Sequence, residues 1–146
     1  MRTPQERGPL VLGIDVGTGS LKAVACDEHG VAQARSARSY PTAHPRPGWS
    51  EQEPQHWWYA LVEAVRELVA KLPARRIVAL SLSTQGGTLV PVDGAGVPAA
   101  AAIVWTDRRC GQEFGEVSTL LPGDGVWQRS GWELTEGMTM LQVRRI

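Results

Sequence analysis

"GIDVGTGSLKAV" (residues 13–24) poses the question on which the fold turns. An apolar run, Leu10-Val11-Leu12, leads to a carboxylate, Asp15, with two glycines and two hydroxyls directly behind it. The apolar run reads as a short buried strand over 10–15. "SLKAVACDEHG" (20–30) alternates Leu21, Ala23 and Ala25 with Lys22 and Val24, so a second strand follows the glycine turn. Two readings of that turn stand side by side. In one, Asp and Gly are ordinary reverse-turn residues and the glycines supply positive φ. In the other, the turn faces phosphate: Gly17 and Gly19 let the backbone approach a ligand, successive N–H groups form an anion nest, and Thr18 and Ser20 add hydroxyl donors. Asp15 would then hold a Mg2+ ion through water, since a carboxylate repels phosphate directly. Lys22 would reach the transferring phosphoryl group.

The flanking sequence extends this start. "VAQARSARSY" (31–40) alternates small apolar and polar residues and reads as a third strand, joined to the second through the Asp27–Gly30 turn, so the three make an antiparallel meander. Four prolines in "PTAHPRPGWSEQEP" (41–54) fix φ and remove donors, which predicts a loop, with Pro54 placed to open a helix. Trp57, Trp58, Leu61, Val62, Val65, Leu68, Val69 and Leu72 recur at helical spacing, with Glu63, Arg66, Glu67 and Lys71 on the other face and Pro73 as the stop. Trp57 and Trp58 are expected to face the core, and Trp49 to anchor the proline loop by burial. "RIVALSLST" (76–84) is apolar with little alternation and reads as a central strand covered on both faces. "TLVPVD" (88–93), "GAGVPA" and "AAIVWTD" (101–107) read as a hairpin. Beyond it, 108–117 reads as a helix, "LPGDGVWQRSGW" as loop, and Met140, Leu141, Val143 and Ile146 as a terminal amphipathic helix that stops without a cap. The order is α/β with an antiparallel start.

The totals narrow the function classes. Fifteen basic and fifteen acidic residues cancel, so bulk charge points to neither nucleic acid nor an anionic membrane. Cys26 and Cys110 lie far apart, and His29, His44 and His56 form no ligand cluster, which fits reduced thiols in a cytoplasmic protein. The polar start carries no signal core, and no window approaches the roughly 18 apolar residues of a membrane span.

The opening turn matches neither G-x-x-x-x-G-K-[ST] nor G-x-G-x-x-G opening a helix. A strand follows it instead, as in the phosphate hairpin of actin-like ATPases. "GIDVGTGSLKAV", "PGWSEQEPQHWW", "ALSLSTQGGTLVPVD" and "AIVWTDRR" together resemble, in order and spacing over residues 10–109, the FGGY carbohydrate kinases, xylulokinase-like members above all. The resemblance implies an actin-like ATPase (ribonuclease H-like) domain, incomplete here. Residues 1–8 would be a disordered tail and 9–146 the N-terminal part of the first kinase domain, with the adenosine-binding second domain absent. It implies ATP and Mg2+ as cofactors and a sugar or polyol as substrate, a xylulose-like ketose first. It implies that Asp15 is the Mg2+-side acid, that Gly17, Thr18, Gly19 and Ser20 line the phosphates, and that Lys22 neutralises developing charge. Gln85 fits the substrate turn. Gly86 and Gly87 stand where relatives carry Met-His or Arg-Glu, which implies a roomier pocket or one that uses backbone groups. In the matching W-x-D-x-R, Trp105 would pack on the apolar face of a sugar, Asp107 accept its hydroxyl protons, and Arg109 orient Asp107 or substrate.

The family's general-base aspartate is expected beyond residue 146, so no catalytic residue is assigned and the 146 residues alone are expected to be inactive. The full-length kinase can be a homodimer. A non-catalytic sugar- or nucleotide-binding module of the same fold is the alternative. "STQGG" with "WTDRR" argues against a chaperone or filament ATPase, which has no small-molecule hydroxyl site there.

Overall fold

Strict alternation in β1 (Leu10–Val16) sends Leu10, Leu12 and Ile14 into the core and Val11, Gly13 and Asp15 to the opposite face. β2 (Ser20–Asp27) does the same with Leu21, Ala23 and Ala25 against Lys22, Val24 and Cys26. The computed structural model describes residues 8–121 and 124–146. The tail expected over 1–8 therefore falls outside the described residues except for Gly8, whose carbonyl accepts from Arg76 Nε and Nη2 at 3.0 and 2.8 Å. The chain forms two compact units. One holds the chain up to Pro41 together with Gln55–Gln85, the other Thr42–Pro54 together with Gly86–Ile146.

In the first unit β3 (Ala32–Ser39) completes the antiparallel meander, and the sheet order is β3-β2-β1-β5. β1 and β2 pair in unbroken register from Leu10 opposite Asp27 to Val16 opposite Leu21. Asp27 closes the second turn by accepting from the N–H groups of His29 and Val31, both at 3.0 Å. Helix α1 (Pro54–Lys71) crosses one face of the sheet, and its last turn is closed before Pro73. Its buried stripe is Ala60, Ala64 and Leu68, which meets Leu12, Ile14, Leu21 and Ala23. Two alanines let the helix lie close, and each large aliphatic side chain buried here contributes about 1.5–3 kcal/mol. Trp57 packs at the edge of this cluster, but Trp58 is exposed, contrary to the expectation that both face the core. The apolar arc of α1 is wider than the strip that this sheet covers. Above β3, Arg38 pairs with Glu67 at 2.9 Å and Glu63 at 3.1 Å, and Lys71 pairs with Glu67 one turn on.

β5 (Ile77–Thr84) runs parallel to β1, from Leu10 opposite Ile77 to Val16 opposite Thr84. Its apolar run led to the expectation of a strand covered on both faces. Among the described residues it stands instead at the end of the sheet, and Val78, Leu80 and Leu82 are 66%, 55% and 59% exposed. An apolar run fixes what a strand's faces are made of, not which elements lie beside them.

In the second unit the proline loop carries a two-residue strand, β4 (Glu51–Gln52), not foreseen as such, paired antiparallel with β6 (Ala102–Ile103). Bridges Ala43 to Glu51, Leu89 to Ile103 and Val92 to Pro98 extend this ladder and give the expected 88–107 hairpin in sparse form. The helix expected over 108–117 starts later, as α2 (Gly111–Leu120). The expected loop after it contains α3 (Asp124–Ser130), whose seven residues are too few to show a helical period, while 122–123 lie outside the described residues. α4 (Thr139–Arg145) confirms the terminal helix. Leu141 of α4 packs with Cys110 and Val117, and ion pairs Arg144–Glu116 and Arg145–Glu113 fasten α4 to α2. No helix of the described residues is long and apolar enough to cross a membrane.

Candidate functional site

Each unit carries one group of the residues singled out by sequence. In the first, the β1–β2 register sets Asp15 directly opposite Lys22, on the sheet face that α1 does not cover. Cross-strand neighbours of opposite charge lie within reach of one ligand on that face. The connecting turn is tight, with Gly17 N–H donating to Ser20 O at 3.1 Å. Neither Gly17 nor Gly19 has positive φ, so the turn does not need glycine for its dihedrals. At Gly17 space is tight instead. A Cβ on Gly17 would stand 3.3 Å from Ser20 O and 3.5 Å from Asp15 Oδ2. A Cβ on Gly19 would meet nothing within 4 Å, which leaves the tip of the turn open to an incoming group.

Tyr40, which sequence reasoning did not single out, holds this turn. Its hydroxyl donates to Gly17 O and its N–H to Gly19 O at 3.4 Å. The carbonyls of Gly17 and Gly19 are thereby both tied to donors of Tyr40. Burial first, and then the nearby Asp15 charge, raise the Tyr40 hydroxyl above its ordinary range, so it remains a donor. A signal for it existed. Ser39 pairs with Ser20, which places the next residue, 40, beside Gly19. Gln85 follows β5, and its N–H donates to Val16 O at 2.9 Å, so the start of the STQGG turn stands beside the end of β1. The face shared by Asp15 and Lys22 forms a concavity of about 830 Å3, lined also by Gly13, Arg35, Ser81 and Ser83.

In the second unit the W-x-D-x-R segment folds as a turn, with Asp107 N–H donating to Val104 O at 2.8 Å. Trp105, at its exposed corner, is 50% accessible. Asp107 is 1% accessible, and both carboxylate oxygens are in use. Oδ1 accepts from Arg109 N and Nε, each at 2.9 Å, and Oδ2 from Ser50 N at 2.6 Å and Arg109 Nη2 at 2.8 Å. A carboxylate offers about four lone-pair sites, so none remains for a substrate hydroxyl. In this structure Asp107 fixes the turn behind Trp105. Arg109 bonds Asp107 through its N–H, Nε and Nη2, and Nη2 also reaches Glu51 at 2.8 Å. Its guanidinium lies 3.7 Å from the centroid of Trp49, so Trp49 anchors the proline loop by stacking on this cation. Burial pushes the Asp107 carboxyl up, but the bonds from Arg109 and Ser50 outweigh that and hold it below the ordinary carboxylate range. Gly87, at φ 69°, has the left-handed backbone that favours glycine, and a Cβ there would stand 3.4 Å from Trp105 Cβ. The structure thus brings Gly87 and Trp105 together, while Gly86 borders open space.

In sequence and fold the chain is similar to known proteins. The chain belongs to the FGGY family of carbohydrate kinases, whose N-terminal domain model matches residues 10–146. It is 32% identical over 130 residues to the xylulose kinase of Staphylococcus xylosus, covering 89% of this chain and 27% of that protein. It is 40% identical over 100 residues to the glycerol kinase of Gloeobacter violaceus, covering 68% of this chain and 20% of that protein. Among solved structures, a xyloylose kinase from Brucella ovis superposes with a TM-score of 0.84 at 27% identity, over 92% of this chain and 28% of that one. The xylulose kinase of Rhodospirillum rubrum gives a TM-score of 0.88 at 24% identity, over 94% of this chain and 28% of that one, a likeness of fold. The architecture is the actin-like ATPase fold, present as a partial domain. The chain spans about a quarter of the length of these relatives.

Proposed function

We propose that this chain is the N-terminal part of an ATP-dependent carbohydrate kinase, supplying the triphosphate-binding hairpin and part of the sugar-facing wall. The observation that carries the reading is the pairing of Asp15 with Lys22 across a glycine turn whose two carbonyls are held by Tyr40. The residues fit a Mg2+–triphosphate group. Asp15 would hold the cation, Lys22 and the hydroxyls of Thr18 and Ser20 would take phosphate oxygens, and the open space at Gly19 admits the group. Bound there, Mg2+ neutralises phosphate charge. The protein's part is to position and to hold donors in advance, which is most of what phosphoryl transfer asks of it.

On the sugar side, Trp105 offers an apolar plane, and Gly86 and Gly87 leave room for a ketose or polyol that relies on backbone groups; Gln85, in the other unit, is a separate candidate for a hydrogen-bonding amide. A xylulose-like ketose is the first candidate, in keeping with the names of several relatives. Asp107 spends its lone pairs on Arg109 and Ser50, so its part here is to hold the turn and not to act as base. The test is a panel of ketoses and polyols with ATP, presented to the longer polypeptide in which this chain is the N-terminal part. Turnover should fall by about two orders of magnitude or more in Lys22→Ala, the scale for losing a transition-state charge partner. A panel giving no phosphorylated product sinks the kinase reading.

A further inference from the structure

Trp105 is half exposed, yet its backbone is held from every side. Its N–H donates to Thr88 Oγ1 at 3.3 Å, and Asp107, two residues on, is locked by four bonds. Its carbonyl is covered by Gly137. A Cβ on Gly137 would overlap the Trp105 carbonyl oxygen and stand 3.4 Å from the Asp107 carbonyl oxygen. Because the obstacle is backbone, not the end of a flexible side chain, the position admits only glycine without displacing the turn. φ is not the reason, since Gly137 is not in the left-handed region. Gly137 is itself fixed: it lies in a turn closed by Met138 N–H to Thr135 O at 3.1 Å, and its carbonyl accepts from the fully buried Gln142 at 3.4 Å. Two residues on, the Thr139 hydroxyl donates to Gly87 O at 3.2 Å. One short segment, 137–142, therefore braces both the Trp105 turn and the Gly87 turn.

We propose that Gly137 and Thr139 are positioning residues that preorganise the Trp105–Gly87 platform for a sugar. An aromatic plane held in advance costs less ordering on binding than one that must be fixed by the ligand. The inference rests on the sugar-facing reading above and adds the elements that set that surface. Neither residue touches substrate on this account. Each acts through a neighbour's backbone.

The test uses amide and indole nuclear magnetic resonance of the chain, free and titrated with D-xylulose and with glycerol. Gly137→Ala should move the Trp105 indole N–H and the Gly87 and Asp107 amides in the free chain, and weaken sugar binding about 10-fold. Thr139→Val should weaken it about 3-fold, and Thr139→Ser should restore it, because the hydroxyl returns. Gly115→Ala, where the added Cβ meets nothing, should leave these signals in place. Unmoved Trp105 and Gly87 signals in Gly137→Ala would overturn the proposal, as would moved signals with unchanged sugar affinity. Should Gly137→Ala not fold, equal affinities for Thr139→Val and Thr139→Ser overturn it. Absence of any sugar-induced shift at Trp105 in the unsubstituted chain refutes the sugar-facing reading itself, an outcome told apart by the free-chain shifts.

Discussion

Removing Arg109 should unfasten the second unit at its most concentrated point. The Arg109 side chain supplies two of the four donors to a carboxylate that is 1% accessible, bonds Glu51 at 2.8 Å and stacks on Trp49 at 3.7 Å. Arg109→Ala leaves Asp107 ionised, buried and bonded only to the N–H groups of Ser50 and residue 109. Breaking a buried pair from one side costs about 3–5 kcal/mol. With a denaturant slope of about 4 kcal/mol per M, within the guanidinium range for small proteins, the midpoint should drop by about 1 M. Guanidinium unfolding followed by tryptophan emission measures this, and hydrogen exchange at the Ser50 amide localises it. Arg109→Lys keeps the charge but loses the two-pronged geometry and the stacking, so it should recover only part of the loss. Asp107→Asn combined with Arg109→Met removes both charges and should be less destabilised than the two single changes summed, by about 2 kcal/mol or more. A loss under about 1 kcal/mol in Arg109→Ala, with Ser50 still protected and the pair additive, would refute the account of this hub.

Acid should weaken both units, each through a carboxyl held below its ordinary range. Glu67, lowered from 4.5 to about 2 first by Lys71 and then by Ser36 and Arg38, stabilises the first unit fully above 4.5, and this is lost as pH falls toward 2. Asp107 stabilises the second unit fully above 3.8 and less as pH falls through its depressed value, so Asp107→Asn should flatten the acid limb of hydrogen exchange at Ser50. Tyr40→Phe should cost about 1 kcal/mol, the worth of one hydrogen bond, and speed exchange at Gly17 and Gly19; unchanged exchange would remove Tyr40 from the account of the turn. The bare strand β5 should make the isolated chain self-associate, and Leu82→Lys should reduce this in sedimentation velocity, since charge blunts an open edge; identical sedimentation of the two chains would count against it.

The meander and α1 were legible because periods of 2 and 3.6 are written over whole elements, and because Gly and Pro mark their ends. The placement of β5 was not legible, since its neighbours are set by packing partners remote in sequence. α3 was hidden by its length. At the site, the motif residues were legible as types, but their bonding partners were not. Nothing local in "WTDRR" announces that Asp107 spends a lone pair on Ser50, 57 positions earlier in the chain. Tyr40 looked like the last residue of a strand until register placed it beside Gly19. Gly137 carries no sequence signal, because its requirement is the carbonyl of another turn.

The central claim is that the turn between Asp15 and Lys22 receives the phosphates of ATP with Mg2+. Titrating the labelled chain with Mg–ATP while following its amide resonances tests this most directly. The account predicts saturable shifts centred on Gly17, Thr18, Gly19 and Ser20 that are lost in Lys22→Ala and in Asp15→Ala. Shifts that spare this turn and gather elsewhere, or a turn unmoved at millimolar nucleotide, would contradict it.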